Sequence, residues 1–318
     1  GGTGWVGKEI VSQLLKRNDN VTLLINNTKS IYKNVKIIKT DISNNEQIKL
    51  NLYDQNFDVI FHIASLPGDT GDPRQMMDVN VNGLLNLLEY SKNSNVKRFI
   101  LSSSISALEW YPATKFNKPD YLPIDENHPC RPKDMYSSTK RMQELLALSF
   151  YHQYKVPVTI LRLTAVVGPK GRGGGRGYFE MAKMLKKRKT VTIPHFNEEE
   201  LCHYVDIRDV GRLHLIASEH KKAIGEIFNC CGSRPTTGKE FGDIIKKYIP
   251  EINVKCGFPW SMAQGGEISF SMKKAKDMIG FVPKYSMDES IKSIIKWIDS
   301  PDYETFDKNE LSYGQGVS

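Results

Sequence analysis

The sequence predicts an α/β chain: a Rossmann-type doubly wound parallel sheet, its first strand apparently missing, with a smaller C-terminal α/β lobe. Three observations predict it. Short apolar runs alternate with helix-period segments through the first two-thirds of the chain. A glycine-rich turn opens the chain directly ahead of a helical segment. After about Gly168 the alternation loosens into shorter elements. Continuous apolar strands between helices are the signature of a parallel sheet covered on both faces.

The strand candidates are Val21–Ile25, Val35–Ile38, Val59–Ala64, Phe99–Leu101 and Val158–Leu163. Between them, Val6, Ile10 and Leu14 share one face of a helix over Val6–Leu15, and Met76–Tyr90 and Tyr136–Phe150 read as two longer helices. A Gly- and Arg-rich loop, Gly171–Gly177, leads into a helix ending near Lys187. Val205–Ser218 and Ile227–Cys230 read as a return to the sheet. Ser286-Met-Asp-Glu289 is a capping box opening a helix to about Trp297. The expected division is a nucleotide-binding domain over 1–168, rejoined by 205–230, and a second lobe over 169–204 and 231–318.

Composition narrows the class. With 318 residues and 40% hydrophobic content, the chain can bury a full core, and 25% charged residues exclude a disordered protein. The net charge is +8, densest at Lys186-Lys-Arg-Lys189, which ends a helical segment where cations suit the dipole. No aromatic residue interleaves with that run, so no nucleic-acid partner is expected. The five cysteines form no C-x-x-C pair, which leaves no metal site expected and suits a reducing cytoplasm. No apolar run reaches membrane-spanning length. The chain starts on Gly1 rather than Met, so a targeting segment ahead of it stays open.

Gly1-Gly-Thr-Gly4-Trp-Val-Gly7 suits a turn that brings backbone close to a pyrophosphate and aims a helix N-terminus at it. Gly171, Gly174 and Gly177 repeat the spacing, but only the first set is followed by helix and strand at βαβ distance. The strand that should precede Gly1 is the one the pattern lacks. After the second strand comes Ile25-Asn-Asn-Thr-Lys29, with no acid for a ribose and with Lys29 nearby, so the cofactor is NAD or NADP with a lean to NADP. Asp41, closing the next strand, is expected near the adenine.

Tyr136 and Lys140 stand one helical turn apart, where an ammonium can bring a phenol towards working pH for proton exchange. The same spacing occurs at Tyr32/Lys36, Tyr111/Lys115 and Tyr151/Lys155. Only Tyr136/Lys140 begins a long helix and follows a strand ending in Ser102-Ser-Ser104.

These landmarks resemble the extended short-chain dehydrogenase/reductase family, also called the NAD-dependent epimerase/dehydratase family. The resemblance spans nearly the whole chain: Gly1-x-x-Gly4-x-x-Gly7, Asp41-Ile42, Phe61-His-Ile-Ala64, Asn80-Val-Asn-Gly83, Ser102-Ser-Ser104, Tyr136-x-x-x-Lys140, Arg162-x-x-x-x-Val167-Gly-Pro169, Tyr204-Val-Asp-Ile-Arg-Asp209 and Ala275-x-x-x-Ile279-Gly-Phe-x-Pro283. The resemblance implies that Ser104 orients a substrate oxygen, Tyr136 is the acid/base and Lys140 binds the nicotinamide ribose. It implies cofactor contacts from Gly1, Gly4, Trp5, Val6, Asn26, Lys29, Asp41, Ile42, Ile63, Ala64, Ser65, Asn80 and Ser102, besides Tyr136 and Lys140. Substrate contacts would come from Ser104, Ser106, Ala165, Arg172 and Arg176. The two long helices imply a homodimer, and the C-terminal lobe becomes the substrate-binding one.

Three departures shape the expected reaction. Ile105 and Ser106 stand where the family's dehydratases carry an Asp-Glu pair. Ala165 replaces an Asn of the nucleotide-sugar epimerases. Cys202 and the Arg-free stretch Trp260–Gly265 replace their diphosphate-gripping arginines, with Lys170, Arg172 and Arg176 as candidate substitutes. The preferred expectation is therefore an NAD(P)-dependent oxidoreductase moving hydride between nicotinamide and a ketone or secondary alcohol of a small metabolite or signal molecule. The alternatives are a nucleotide-sugar 4-epimerase holding NAD tightly, and a non-catalytic nucleotide-sensing or RNA-associated protein on the same scaffold.

Overall fold

The computed structural model describes residues 1–27, 32, 35–66, 72–108, 119–171, 176–257 and 268–306, with backbone only at 176 and 177. The chain opens with α1 (Trp5–Lys16), β1 (Thr22–Ile25), β2 (Lys36–Lys39), α2 (Asn45–Leu52) and β3 (Val59–His62). Next come α3 (Pro73–Met76), a π turn (Met77–Asn82), α4 (Gly83–Lys92), β4 (Arg98–Ser104), α5 (Met135–Tyr154) and β5 (Val158–Leu163). The remainder comprises β6 (Ala165–Val167), α6 (Arg176–Lys187), β7 (Thr190–Thr192), β8 (Leu201–Cys202), β9 (Tyr204–Asp206), α7 (Ile207–Glu219), β10 (Ile227–Cys230), β11 (Thr236–Thr237), α8 (Gly238–Tyr248), β12 (Asn253–Lys255), α9 (Lys273–Ile279) and α10 (Met287–Ile298).

Four parallel strands form the central sheet in the order β10-β5-β4-β3, and β1 and β2 form a separate parallel pair. Among the described residues no strand bridges β1 and β3. The glycine turn lies between them: a Cβ at Gly1 would fall 2.5 Å from the Ala64 nitrogen, and one at Gly2 would fall 2.5 Å from a Leu23 methyl.

Both faces of the sheet are covered. Phe99, Leu101 and Ile160 pack with Leu84, Leu88, Ala147 and Phe150 of α4 and α5. Ile100 and Leu161 point the other way, onto Val210 and Leu213 of α7 and Phe228 of β10. A third cluster, with Tyr178, Leu185, Phe241, Ile294 and Trp297, forms the interior of the C-terminal elements.

Several sequence expectations change. β4 runs on through Ser102–Ser104, because its serine hydroxyls find partners inside the protein (below). The helix expected over Met76–Tyr90 is broken into α3, the π turn and α4. Val205–Ser218 adds no strand to the main sheet: β9 pairs with β6, and the rest is α7, which packs on the face of the sheet. The capping box opens α10 where expected. The basic run at the end of α6 is tied down, with Lys186 donating to the Ile298 carbonyl at 2.6 Å and Arg188 meeting Asp299 at 2.6 Å. Those partners close α10, where cations complement the helix dipole.

Candidate active site

The site forms where β4 ends beside the first turns of α5. Successive β4 serines face opposite sides of the sheet. Ser102 Oγ lies 2.7 Å from His214 Nε2 on α7, whereas Ser103 Oγ donates to Glu144 on α5 at 2.7 Å. Ser104 closes the strand, and its hydroxyl accepts from the Ser106 amide at 3.1 Å.

Asp134 caps α5, its carboxylate accepting from the Ser137 amide at 2.7 Å, which starts the helix at Met135, directly before Tyr136. Deeper in α5, Glu144 takes two 2.9 Å bonds from Arg162 of β5, and both side chains are almost wholly buried. This pair fixes α5 against the sheet, so Tyr136 and Lys140 are held relative to Ser104.

Tyr136 is half-buried, and the Ser104 hydroxyl acts on its phenol from the end of β4. Lys140 is buried, donates to the Ser102 carbonyl at 3.0 Å, and lies 5.8 Å from the Tyr136 ring centroid. Burial pushes the Tyr136 phenol up to about 12 against the Ser104 hydroxyl, and burial brings Lys140 down to about 8 against the pull of Glu144. Burial works against the expected lowering of the phenol by Lys140. Its ammonium is directed at a strand carbonyl, and desolvation of the phenol outweighs the help it receives.

The glycine turn fits a dinucleotide phosphate. A Cβ at Gly7 would fall 2.1 Å from the Gly1 carbonyl oxygen, so the turn closes only with glycine there. Gly4 caps α1 without a side-chain bond, and the first turn carries no acid, so its N–H groups and positive end can receive an anion. Ile63 and Ala64 lie against Gly1 at the end of β3, and Asn26 directly follows β1.

Other expected residues behave differently. Asn80 contributes through position: its amide bonds the Leu66 N–H and C=O at 2.7 and 3.2 Å and reaches Thr139 at 3.0 Å, so it holds the segment after β3 rather than facing a cofactor. Ser102 offers Lys140 its carbonyl, with its hydroxyl turned to α7. Asp41 forms a turn with Ser43 at 2.9 Å, and Ile42 packs where a Cβ at Gly83 would fall 2.9 Å from it. Ser65 donates to its neighbour's carbonyl at 3.4 Å. Ser106 accepts from Ser104 at 3.1 Å, and Ala165 pairs with Tyr204 across β6 and β9. Lys170 turns away to Asp302 at 3.2 Å. Lys29, Arg172, Trp260–Gly265 and the side chain of Arg176 lie outside the described residues.

Two groups went unread in the sequence. Gln143 donates to the Asn80 carbonyl at 2.6 Å, and its position three residues after Lys140 was the available signal. His62 is buried with Nε2 unpartnered among the described residues, and burial with the nearby Lys140 cation brings it down to about 3. Among the described residues no cluster of His, Cys, Asp and Glu could hold a metal ion, and no helix is long and apolar enough to cross a membrane.

A model of the NAD dependent epimerase/dehydratase family matches residues 1–231. A Methanocaldococcus jannaschii protein provisionally called a UDP-glucose 4-epimerase is 29% identical over 313 residues, covering 94% of this chain and 96% of its own. A UDP-glucuronate 4-epimerase of Thermodesulfobacterium geofontis is 26% identical, covering 83% and 80%. Among solved structures, UDP-glucose 4-epimerase of Thermotoga maritima with UDP-glucose superposes with a TM-score of 0.79 at 24% identity, covering 93% of this chain and 96% of that one. UDP-glucuronic acid 4-epimerase of Bacillus cereus in complex with NAD gives 0.75 at 21%, covering 93% and 95%. The lean to NADP, drawn from the lack of an acid after the second strand with Lys29 close by, finds no support: the matching family is NAD dependent, and Lys29 lies outside the described residues.

Proposed function

Because the chain belongs to the NAD dependent epimerase/dehydratase family, we propose that it is a nucleotide-sugar 4-epimerase that keeps its NAD bound between turnovers. The observation that carries this reading is the Ser104–Tyr136–Lys140 set at the end of β4, in a chain whose relatives include 4-epimerases of UDP-glucose and UDP-glucuronate matched over 95% and 80% of their length. The reading reverses the order of preference that the sequence alone suggested.

The glycine turn and the first turn of α1 would hold the pyrophosphate, and Lys140 the nicotinamide ribose. NAD, when bound, would supply a reversible hydride acceptor whose oxidised form carries positive charge. Tyr136 takes the proton of the sugar C4 hydroxyl, with Ser104 hydrogen-bonded to the same oxygen. Positive charge near the phenol lowers the cost of tyrosinate, offsetting the burial that now holds it near 12. Once the C4 ketone has presented its opposite face, Tyr136 returns the proton. The same reading includes a homodimer across α4 and α5, supported by the exposed Met142 and Leu145 of α5.

The test is a panel of UDP-hexoses and UDP-hexuronates incubated with the purified protein without added cofactor. Interconversion of one C4-epimer pair, with no net change in reduced nicotinamide, is expected. Inertness towards the whole panel would overturn the reading.

One observation favours a second reading, a reductase with a dissociable cofactor. Ala165 and Cys202 are both buried and place neither amide nor cation at the positions they occupy. Ketone-dependent consumption of added NADH, without epimerisation, would select it.

A further inference from the structure

Trp5 joins two parts of the structure. Its backbone begins α1, where the uncapped N–H groups offer themselves to phosphate. Its indole Nε1 donates to the Pro169 carbonyl at 2.8 Å, across 164 residues of sequence. A phenyl ring would fill the same space, but only an indole supplies this donor.

The far end of that bond is built to be held. The Trp5 ring borders Gly168, where a Cβ would lie 3.8 Å from Cζ2 and 2.6 Å from Ile207, and where φ is +154°. The ring also meets Tyr178 of α6 at 6.5 Å between centroids. Beyond Pro169, Lys170 adopts φ 64° and reaches Asp302 at 3.2 Å. On the near side, β6 begins two residues after Leu163, the register partner of Ser104. One line of contacts therefore runs from the phosphate-binding turn to the strand end that lies beside the reacting groups.

We propose that the Trp5 indole is a tie through which occupancy of the phosphate-binding turn orders the segment 165–171, so that cofactor and substrate each favour the other's binding. Fixing Trp5 from its backbone side fixes the Pro169 carbonyl through the indole, and the substrate-side strand end is then ordered before substrate arrives. By linkage the effect is reciprocal: substrate that orders 165–171 holds the cofactor more tightly. Trp5 is thus a positioning residue, acting on the substrate side without touching the reacting atoms. The tie rests on the reading above only for what the substrate is.

The test is hydrogen exchange of peptides spanning 165–171, in protein freed of nucleotide and then reloaded with NAD. In the native chain NAD should slow exchange there by about fivefold or more, the low end for coupled sites. In Trp5→Phe, NAD should still bind and protect the glycine turn, while protection of 165–171 is lost. Trp5→Leu, which has no side-chain donor, is expected to lose the same protection, so either folded variant suffices. Equal protection of 165–171 in the native chain and the variants, or none in the native chain, would overturn the tie. The readout needs cofactor alone. A native chain that shows the coupling yet ignores every UDP-sugar would overturn the epimerase reading and leave the tie standing.

Discussion

Tyr136 and Lys140 are placed for proton exchange, but neither is tuned by the protein alone. Burial holds Tyr136 near 12 and Lys140 near 8, so on the proposed reading it is positive charge delivered with a cofactor that would bring the phenol into range. Tyr136→Phe keeps the ring and removes the transferable proton. Turnover should fall by roughly 10²–10⁴-fold, with NAD affinity changed little, as checked by steady-state rates and a nicotinamide titration. At this scale the sequence was informative where spacing carried the chemistry. Tyr136, Lys140 and Ser104 stood out because one helical turn and one strand end bring them together. Asn80 and Ser102 were recognised as part of the pattern but not for what their side chains do, because a motif does not reveal which way an amide or hydroxyl turns.

At the scale of elements, α5 is anchored from below by Glu144 and Arg162, which bury opposite charges with their bonds made. Removing one partner leaves the other buried without compensation. Glu144→Ala should destabilise the fold by about 3–5 kcal/mol and also loosen Tyr136. Replacing both residues with Leu and Met should recover much of that loss, measured by urea unfolding. Element type was legible from periodicity for α1, α5, β5 and α10, since long amphipathic patterns and a capping box are local signals. The break of the expected Met76–Tyr90 helix was not legible. Its π turn coincides with the Asn80 bonds to Leu66, a tertiary contact with no local trace. β9 was misassigned for a similar reason: short apolar strands look alike, and only pairing with β6 shows that β9 lies off the main sheet.

For the whole molecule, buried neutral imidazoles set the response to acid. Burial brings His62 down to about 3 and His203 and His214 down to about 4, across the sheet, the β8–β9 corner and α7. Each folded pKa lies below the unfolded value of about 6.5. The stability these groups contribute is therefore complete above about 6.5 and is lost as pH falls through the folded values. Urea midpoints should decline between about 6.5 and 5, before carboxylates of the unfolded chain titrate. His214→Asn should reduce that slope, and an unchanged slope would remove His214 from the explanation. The overall α/β plan was readable because both sheet faces are apolar. The relation of β1–β2 to the main sheet was not, because it depends on what lies between β1 and β3.

The central claim is that hydride leaves C4 of a nucleotide sugar and returns to the same carbon without leaving the protein. The most direct measurement follows UDP-glucose and UDP-glucuronate labelled with deuterium at C4. Retention of the label at C4 in the epimerised product is expected, with none in the solvent. Deuterium appearing in released NADH, or washed out into water, would contradict the claim.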